Sequence, residues 1–291
     1  FLGIYNFHIT KLNYFCIPKP ITYKIMIRFA VTLLVCILAL GNANAQELMV
    51  LESDNLKCND SVLVFTPKNL NENTPTLFLL HGWSGCYSNW SQKHNIQEIA
   101  DRTNFRIICP DGFYNSWYLN NTDPEKMQWR TFFWSELYPM MQKKYNLTPD
   151  KTFITGLSMG GHGAMNLFLD NPDAFRSAGS MSGVLDLQLT PLAEKEISKV
   201  IGDKRNRLYE ESAINRVQVL AGKNKPIIVS CGYDDYYVRC TDLFTQKCRY
   251  MGIPHVALLT PGKHSWQYWG FALEEHLAFF QKLLRGDNLG Y

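Results

Sequence analysis

Short apolar runs alternate with longer amphipathic stretches along most of the chain. The short runs are bounded by turn residues or glycine, which is typical of buried strands, and they predict strands at residues 61–66, 76–80, 105–109, 152–155, 177–181, 226–231 and 255–260. The amphipathic stretches carry apolar residues at three- and four-residue spacing, which predicts helices at 95–103, 131–145, 160–171, 242–251 and 269–284. This alternation predicts an α/β fold, with a mostly parallel central sheet and helices on both faces.

The N-terminal part of the chain has the three-part layout of a secretory signal. Met26 is the first methionine, Arg28 supplies a basic start, residues 29–40 are apolar, and Ala43-Asn44-Ala45 resembles a cleavage site. A membrane anchor is the alternative, but a spanning helix needs about 20 apolar residues and this run is shorter. We therefore predict a secreted or periplasmic protein that begins near Gln46.

Three segments follow from this interpretation. Residues 1–25 precede the first methionine and are interpreted as upstream sequence, residues 26–45 as a signal peptide, and residues 46–291 as one catalytic domain. Residues 187–219 are more polar than their surroundings, which predicts a surface excursion between two strands. This excursion is either a solvated helical connection or a cover over an active site.

Charge and cysteine content narrow the classes of function. Four of the 29 basic residues and none of the 26 acidic residues lie before residue 46, so the remainder of the chain is close to neutral. Without a concentrated excess of Lys and Arg, nucleic-acid binding is not expected. Six cysteines follow residue 45, and an exported protein can oxidise them. Cys240 and Cys248 are close enough to pair across a turn or helix end, whereas buried thiols are the alternative for Cys109 and Cys231.

A strand, a sharp turn and a helix start surround Ser158. The turn is Gly156-Leu157-Ser158-Met159-Gly160, in which small residues two positions either side of the serine permit a tight reversal. Such a turn holds a serine hydroxyl exposed above the sheet, beside the positive end of a helix dipole. The pattern predicts that Ser158 is a nucleophile.

A serine nucleophile needs a general base and an acid that orients the base, in the chain order Ser, Asp or Glu, His. His264 stands in the loop after the last predicted strand, whereas His162, His255 and His276 lie where packed or solvated histidines are expected. The acid should follow the preceding strand, where Asp234 and Asp235 both stand.

Acyl transfer also needs two backbone donors for the oxyanion. One is the amide of the residue after the nucleophile, which is Met159. The other is expected in the glycine-containing loop after an early strand, and we assign it to Trp83, which follows Gly82. Taken alone, this loop would be an ordinary glycine-rich strand exit.

Aromatic residues are frequent in the loops that should face the same rim. They could stack on a sugar ring or an aromatic acyl group, although several must pack in the core instead. The strongest candidates for substrate contact are Trp117 and Trp266, within the set Trp83, Tyr87, Trp90, Tyr114, Trp117, Tyr118, Tyr236, Tyr237, Trp266 and Tyr268. The sequence shows no paired histidines and no Cys-x-x-Cys spacing, so neither a metal nor another cofactor is expected.

Several short motifs together resemble the esterase D-like family of α/β-hydrolase fold. They are Leu79-Leu80-His81-Gly82, Ser88-Asn89-Trp90, Pro110-Asp111-Gly112, Ser116-Trp117-Tyr118, Gly156-Leu157-Ser158-Met159-Gly160-Gly161-His162-Gly163-Ala164, Ser182-Gly183, Cys231-Gly232-Tyr233-Asp234-Asp235 and Gly262-Lys263-His264-Ser265-Trp266. The family includes feruloyl and acetylxylan esterases, tributyrin-type esterases, S-formylglutathione hydrolase and mycolyltransferases. The resemblance implies that the acid is Asp235, since family members place two residues between a glycine and the aspartate. The neighbouring Asp234 leaves this assignment open by one position.

The resemblance implies hydrolysis of short-chain or aromatic acyl esters, in some members on plant polysaccharides, without a cofactor. The expected partner is therefore a small ester or an acylated carbohydrate, with no nucleic acid and no stable membrane anchor after signal cleavage. Two alternatives remain at this point. One is an acyltransferase of the same family, and the other is a hydrolase-like protein that binds carbohydrate without catalysis.

Overall fold

The computed structural model describes residues 46–189, 191–202 and 205–287. The predicted upstream segment, 1–25, and the predicted signal peptide, 26–45, lie outside these residues. In the part of the chain that is described, no helix is both long enough and apolar enough to cross a membrane.

Eight strands form one sheet, in the order β1-β2-β4-β3-β5-β6-β7-β8. The strands are β1 (Gln46–Ser53), β2 (Cys58–Phe65), β3 (Thr76–Leu80), β4 (Arg106–Pro110), β5 (Thr152–Gly156), β6 (Ser177–Met181), β7 (Ile227–Gly232) and β8 (His255–Thr260). β1 pairs with β2 and β2 pairs with β4 in antiparallel fashion, whereas all other pairs are parallel. The predicted fold class is confirmed.

Helices cover both faces of this sheet. They are α1 (Asn89–Lys93), α2 (Ile96–Thr103), α3 (Trp129–Phe132), α4 (Tyr138–Tyr145), α5 (Met159–Asp170), α6 (Pro191–Ile201), α7 (Arg205–Glu211), α8 (Val238–Tyr250) and α9 (Trp266–Arg285). A single π-helical turn, Phe133–Leu137, joins α3 to α4, so the helix predicted at 131–145 is three consecutive segments.

The two faces of the sheet form two separate hydrophobic clusters. Along β3, Phe78 and Leu80 point into one cluster while Leu77 and Leu79 point into the other, as the two-residue period of a strand requires. The first cluster is closed by α3 to α8 and the second by α1, α2 and α9. Burial on both faces explains why these central strands are continuous apolar runs.

All seven predicted strands are present, but the sequence pattern did not reveal β1. β1 is an edge strand in which Leu48 and Val50 remain exposed, so its apolar residues do not mark a buried face. The excursion at 187–219 contains α6, α7 and three short 3-10 turns rather than a strand. Ile197 and Ile201 of α6 are fully buried, so the excursion packs against the first cluster.

The structure contradicts a pairing of Cys240 with Cys248, which their spacing in the sequence had left open. Both thiols lie on α8, eight residues apart, which separates their Cα atoms by about 12 Å along the helix axis. A disulfide needs Cα atoms within about 7 Å. Both are buried free thiols, as are Cys109 and Cys231.

Candidate active site

Ser158 lies between the end of β5 and the start of α5, in a strained backbone turn. Its φ is 53° and its ψ is −116°, a combination that L residues rarely adopt. Gly160 makes the turn sterically feasible, because a Cβ at this position would lie 2.4 Å from the carbonyl oxygen of His81 and 2.6 Å from that of Leu80. The turn therefore presses directly against the end of β3 and holds Ser158 at the carboxyl edge of the sheet.

Three predicted residues meet at this edge. Nε2 of His264 lies 3.0 Å from Oγ of Ser158, and Nδ1 of His264 lies 2.9 Å from Oδ2 and 3.0 Å from Oδ1 of Asp235. His264 stands in the loop between β8 and α9, and Asp235 in the turn after β7. The structure thus brings together side chains that are 106 and 29 residues apart in sequence.

The neighbouring carboxylates, Asp234 and Asp235, occupy different environments. Asp235 is buried, and its Oδ1 also accepts the backbone N–H of Tyr237 at 2.9 Å. Asp234 is exposed, and its backbone N–H donates to the carbonyl of Gly262. Of the two candidates, the carboxylate that contacts His264 is that of Asp235.

These contacts fix the tautomer of His264. An ionised carboxylate only accepts hydrogen bonds, so Nδ1 of His264 must carry the proton that faces Asp235. Nε2 is then the acceptor for the hydroxyl proton of Ser158. The edge-to-face contacts of the ring with Trp269, at 4.8 Å between centroids, and with Tyr237, at 5.1 Å, hold the imidazole in this orientation.

The residues predicted to supply the oxyanion donors, Met159 and Trp83, belong to segments that lie close to Ser158. Met159 is the first residue of α5, so its N–H has no acceptor within the helix. Trp83 follows Gly82, where an added Cβ would lie 2.5 Å from Cδ1 of Leu157 and 3.5 Å from Cβ of Ser158. The backbone before Trp83 therefore passes beside the nucleophile turn.

His81 braces the loop that carries Trp83, a role that sequence reasoning missed. Its Nε2 accepts the backbone N–H of Gly112 at 2.7 Å, which leaves Nδ1 as the donor to the carbonyl of Gly82 at 2.8 Å. The carbonyl of His81 accepts the hydroxyl of Tyr118 at 2.8 Å. His81 is visible in the motif Leu79-Leu80-His81-Gly82, but two of its partners, Gly112 and Tyr118, are more than 30 residues away in sequence.

The rings of the other three histidines that follow Ser158 in the sequence form hydrogen bonds with neither Ser158 nor Asp235. His162 and His276 are fully buried, and burial lowers the pKa of each to about 3, so both are neutral. The ring of His276 contacts Oγ1 of Thr155 on β5 and Oγ of Ser230 on β7. His255 is half-buried at the start of β8 and contacts the carbonyl of Ile253.

A cavity of about 800 Å³ opens over Ser158 and His264. Six of its lining residues are Trp or Tyr, and both predicted contact residues, Trp117 and Trp266, are among them. The other four are Trp83, Tyr236, Tyr237 and Trp269. The other aromatics divide as follows: Trp90, Tyr118 and Tyr268 pack in the core, whereas Tyr87 and Tyr114 do not line this cavity. Trp269 was not among the predicted rim residues because it belongs to a helix, whose first turn faces the cavity.

Polar groups occupy the rim of the same cavity. Lys93 and His94 lie at the end of α1, and Glu196 comes from α6. The excursion at 187–219 therefore packs on the core and also supplies a side chain to the cavity wall. In the described ranges, no group of three or more His, Cys, Asp or Glu side chains is arranged to hold a metal ion.

A buried carboxylic acid, Asp60, lies close to Asp111 in the loop that contains Gly112. Asp60 of β2 is fully buried, and among the described residues no donor has full hydrogen-bond geometry to either carboxyl oxygen. The backbone N–H groups of Ser61 and Asp111 lie near enough to lower the pKa of Asp60, but by less than burial raises it. Burial and the nearby Asp111 carboxylate raise the pKa of Asp60 from its usual 3.8 to about 8. The folded protein thus binds a proton at neutral pH that the unfolded chain releases.

Because of this proton, stability should fall as the pH rises between about 4 and 8. We expect Asp60→Asn to flatten this dependence and to raise the free energy of unfolding at pH 8 by roughly 1–3 kcal/mol. Urea unfolding across this pH range would measure the effect, with the exposed Asp54→Asn as the control variant. An unchanged slope in the Asp60 variant would show that this carboxyl is not responsible.

Comparison with known proteins identifies the family of this chain. A family model described as "putative esterase" matches residues 53–280. An acetyl esterase from Caldicellulosiruptor saccharolyticus is 29% identical over 263 residues, which cover 79% of this chain and 96% of that protein. S-formylglutathione hydrolase from Mus musculus is 26% identical over 258 residues, which cover 80% of this chain and 92% of that protein.

Among solved structures, a ferulic acid esterase superposes with a TM-score of 0.70 at 25% sequence identity. The match covers 82% of this chain and 98% of that one. Since the family model spans more than three quarters of the sequence, including Ser158, Asp235 and His264, the chain belongs to the putative esterase family.

Proposed function

We propose that this esterase hydrolyses short-chain or aromatic acyl esters through an acyl-enzyme formed on Ser158. The observation that carries the proposal is the unbroken contact from Ser158 through His264 to Asp235 at the floor of an aromatic cavity. A serine hydroxyl is a weak nucleophile at neutral pH, and this arrangement supplies the base that removes its proton.

In the proposed first step, Oγ of Ser158 attacks the ester carbonyl and its proton passes to Nε2 of His264. The amides of Trp83 and Met159 donate to the developing oxyanion, and Asp235 stabilises the imidazolium without taking its proton. The proton then goes to the departing alcohol. In the second step water attacks the acyl-enzyme by the same route, which releases the acid and restores Ser158.

The aromatic walls favour a substrate with a planar acyl group or a sugar ring. The aromatic acyl group agrees with the name of one similar protein, the ferulic acid esterase, and the name of another, the acetyl esterase, supports a short acyl group as the alternative. A parallel assay on methyl ferulate, acetylated xylan and tributyrin tests the class of ester. We expect free acid from at least one of them, whereas acylated sugar as the main product in a competition assay would favour the acyltransferase alternative.

Trp266 should contribute to the binding of an aromatic acyl group. Its ring lies in the cavity wall and packs edge-to-face on Trp90 and Trp269, at 5.3 Å in both cases. We expect Trp266→Ala to raise KM for methyl ferulate about tenfold, because a ring contact contributes roughly 0.5–1.5 kcal/mol beyond buried area. KM for p-nitrophenyl acetate, whose acyl group is not aromatic, should change much less.

The matched control is Tyr250→Ala, since Tyr250 is 92% exposed on α8 and does not line the cavity. Steady-state kinetics on methyl ferulate would compare the two variants. Equal KM values for Trp266→Ala and the unaltered protein would remove Trp266 from the binding surface.

Export is also part of the proposal, and it rests on the layout of residues 26–45. Expression from Met26 in a secreting host, followed by mass measurement of the product, tests it. We expect a mature chain that begins near Gln46. Recovery of the intact chain from the cytosol or the membrane would contradict export.

A further inference from the structure

A second cavity, of about 500 Å³, lies at the opposite edge of the sheet from Ser158. Thr76, Arg106 and Thr152 line it, and these are the first residues of the parallel strands β3, β4 and β5. Each strand is five residues long, which separates the two edges by about 17 Å. The two cavities share no lining residue.

Arg106 is an unusual residue for this position because it is a buried cation without a counterion. Arg106 is 7% exposed, and none of the ion pairs among the described residues includes it. Among the same residues its buried Nε has no hydrogen-bond partner, and Nη1 makes only a 3.5 Å contact with Oγ1 of Thr76. The guanidinium stacks 4.3 Å from the ring centroid of Tyr145. A buried charge is costly unless it is paired, so this side chain is poised for an anion.

A second cation lines the same cavity. Nζ of Lys151 donates to Oδ1 of Asn73 at 2.7 Å and approaches the carbonyl of Glu72 at 3.4 Å, and its third N–H is uncommitted. Neither acceptor is a carboxylate. Glu72 is the only acid among the lining residues, and most of the others are Asn or Thr, which can hydrogen-bond a polar solute.

We propose that this cavity binds a small solute with a carboxylate or phosphate group, held by Arg106 and Lys151. The two Nη groups of the guanidinium can donate to two oxygens of such a group, whereas the buried Nε cannot reach it, and the ammonium can contact the same charge. The volume lies in the range of small-molecule sites, about 300–1,000 Å³, so it accommodates a sugar acid or a sugar phosphate. This site is independent of the esterase reaction.

Calorimetric titration of the full Ser158→Ala chain tests the proposal without turnover. The probes are glucuronate, glucose 6-phosphate and inorganic phosphate, with neutral glucose as the reference. We expect saturable binding of glucuronate, of the phosphates, or of both, and the probes that bind identify the anionic group. Binding should weaken at higher salt. Absence of saturable binding by every anion at millimolar concentration, or equal binding of glucose, would overturn the proposal.

Lys151→Gln locates the site, because Lys151 lies on the surface side and its loss should leave the fold intact. We expect this variant to bind the anion at least tenfold more weakly. The matched control is Arg102→Gln, which removes an exposed cation of α2 that pairs with Glu274 outside the cavity. Arg106→Gln should abolish binding if it folds, and if it does not, the Lys151 comparison alone decides. Unchanged affinity in Lys151→Gln would overturn the assignment.

Discussion

Ser158→Ala should lower kcat for p-nitrophenyl acetate by about 10⁴- to 10⁶-fold, the range seen when a serine nucleophile is removed. The expected loss is large because alanine cannot form the acyl-enzyme, and the histidine and oxyanion donors then act on water alone. Initial rates at saturating substrate would measure it.

The thermal unfolding midpoint serves as the control for this variant. Among the described residues, Oγ of Ser158 makes one hydrogen bond, to Nε2 of His264, so removal of the hydroxyl should leave the fold intact. The strained turn at Ser158 depends on the backbone and not on the hydroxyl. Retention of full activity in a folded Ser158→Ala protein would place the reaction elsewhere.

Asp235→Asn should lower kcat by about 10⁴-fold, because an amide facing Nδ1 of His264 favours the wrong tautomer. Nε2 would then carry the proton and could not accept one from Ser158. The geometry of the site should otherwise be preserved, since asparagine is nearly the same size as aspartate. Kinetics on p-nitrophenyl butyrate would measure the change.

Asp234→Asn is the matched control, since it makes the same chemical change one residue earlier. Asp234 is exposed and makes no side-chain contact with His264, so we expect activity within a few-fold of the unaltered protein. A larger loss for Asp234→Asn than for Asp235→Asn would reverse the assignment of the acid.

Much of the fold follows from periodicity because the central strands are buried on both faces. β3, β6 and β8 have the bounds that their apolar runs predict, and the other predicted strands differ at their ends by one to three residues. β1 was missed because an edge strand need not be apolar on both faces. The π-helical turn at Phe133–Leu137 leaves the hydrophobic pattern of its segment nearly unchanged, so periodicity does not reveal it.

The residues of the candidate site that closely follow a strand could be predicted from the sequence. Ser158, Asp235 and His264 follow β5, β7 and β8, and parallel strands bring their carboxyl ends to one edge. Their catalytic roles remain predictions, which the variants above test. The resemblance to a family, rather than spacing, favoured Asp235 over Asp234.

Residues whose roles depend on distant contacts were not predictable from local pattern. His81 acts through Gly112 and Tyr118, and Trp269 reaches the cavity only because α9 begins beside His264. Arg106 has an ordinary position at the start of a strand, and only the three-dimensional structure shows that no carboxylate faces it among the described residues. These features arise from packing between segments and not from the segments themselves.

Labelling with a fluorophosphonate, followed by peptide mass mapping, tests most directly whether Ser158 is an activated nucleophile. We expect one adduct per chain, located on the peptide that contains Ser158 and absent from Ser158→Ala. An active protein whose Ser158 stays unmodified while another residue carries the adduct, or a folded protein that does not react, would contradict this expectation.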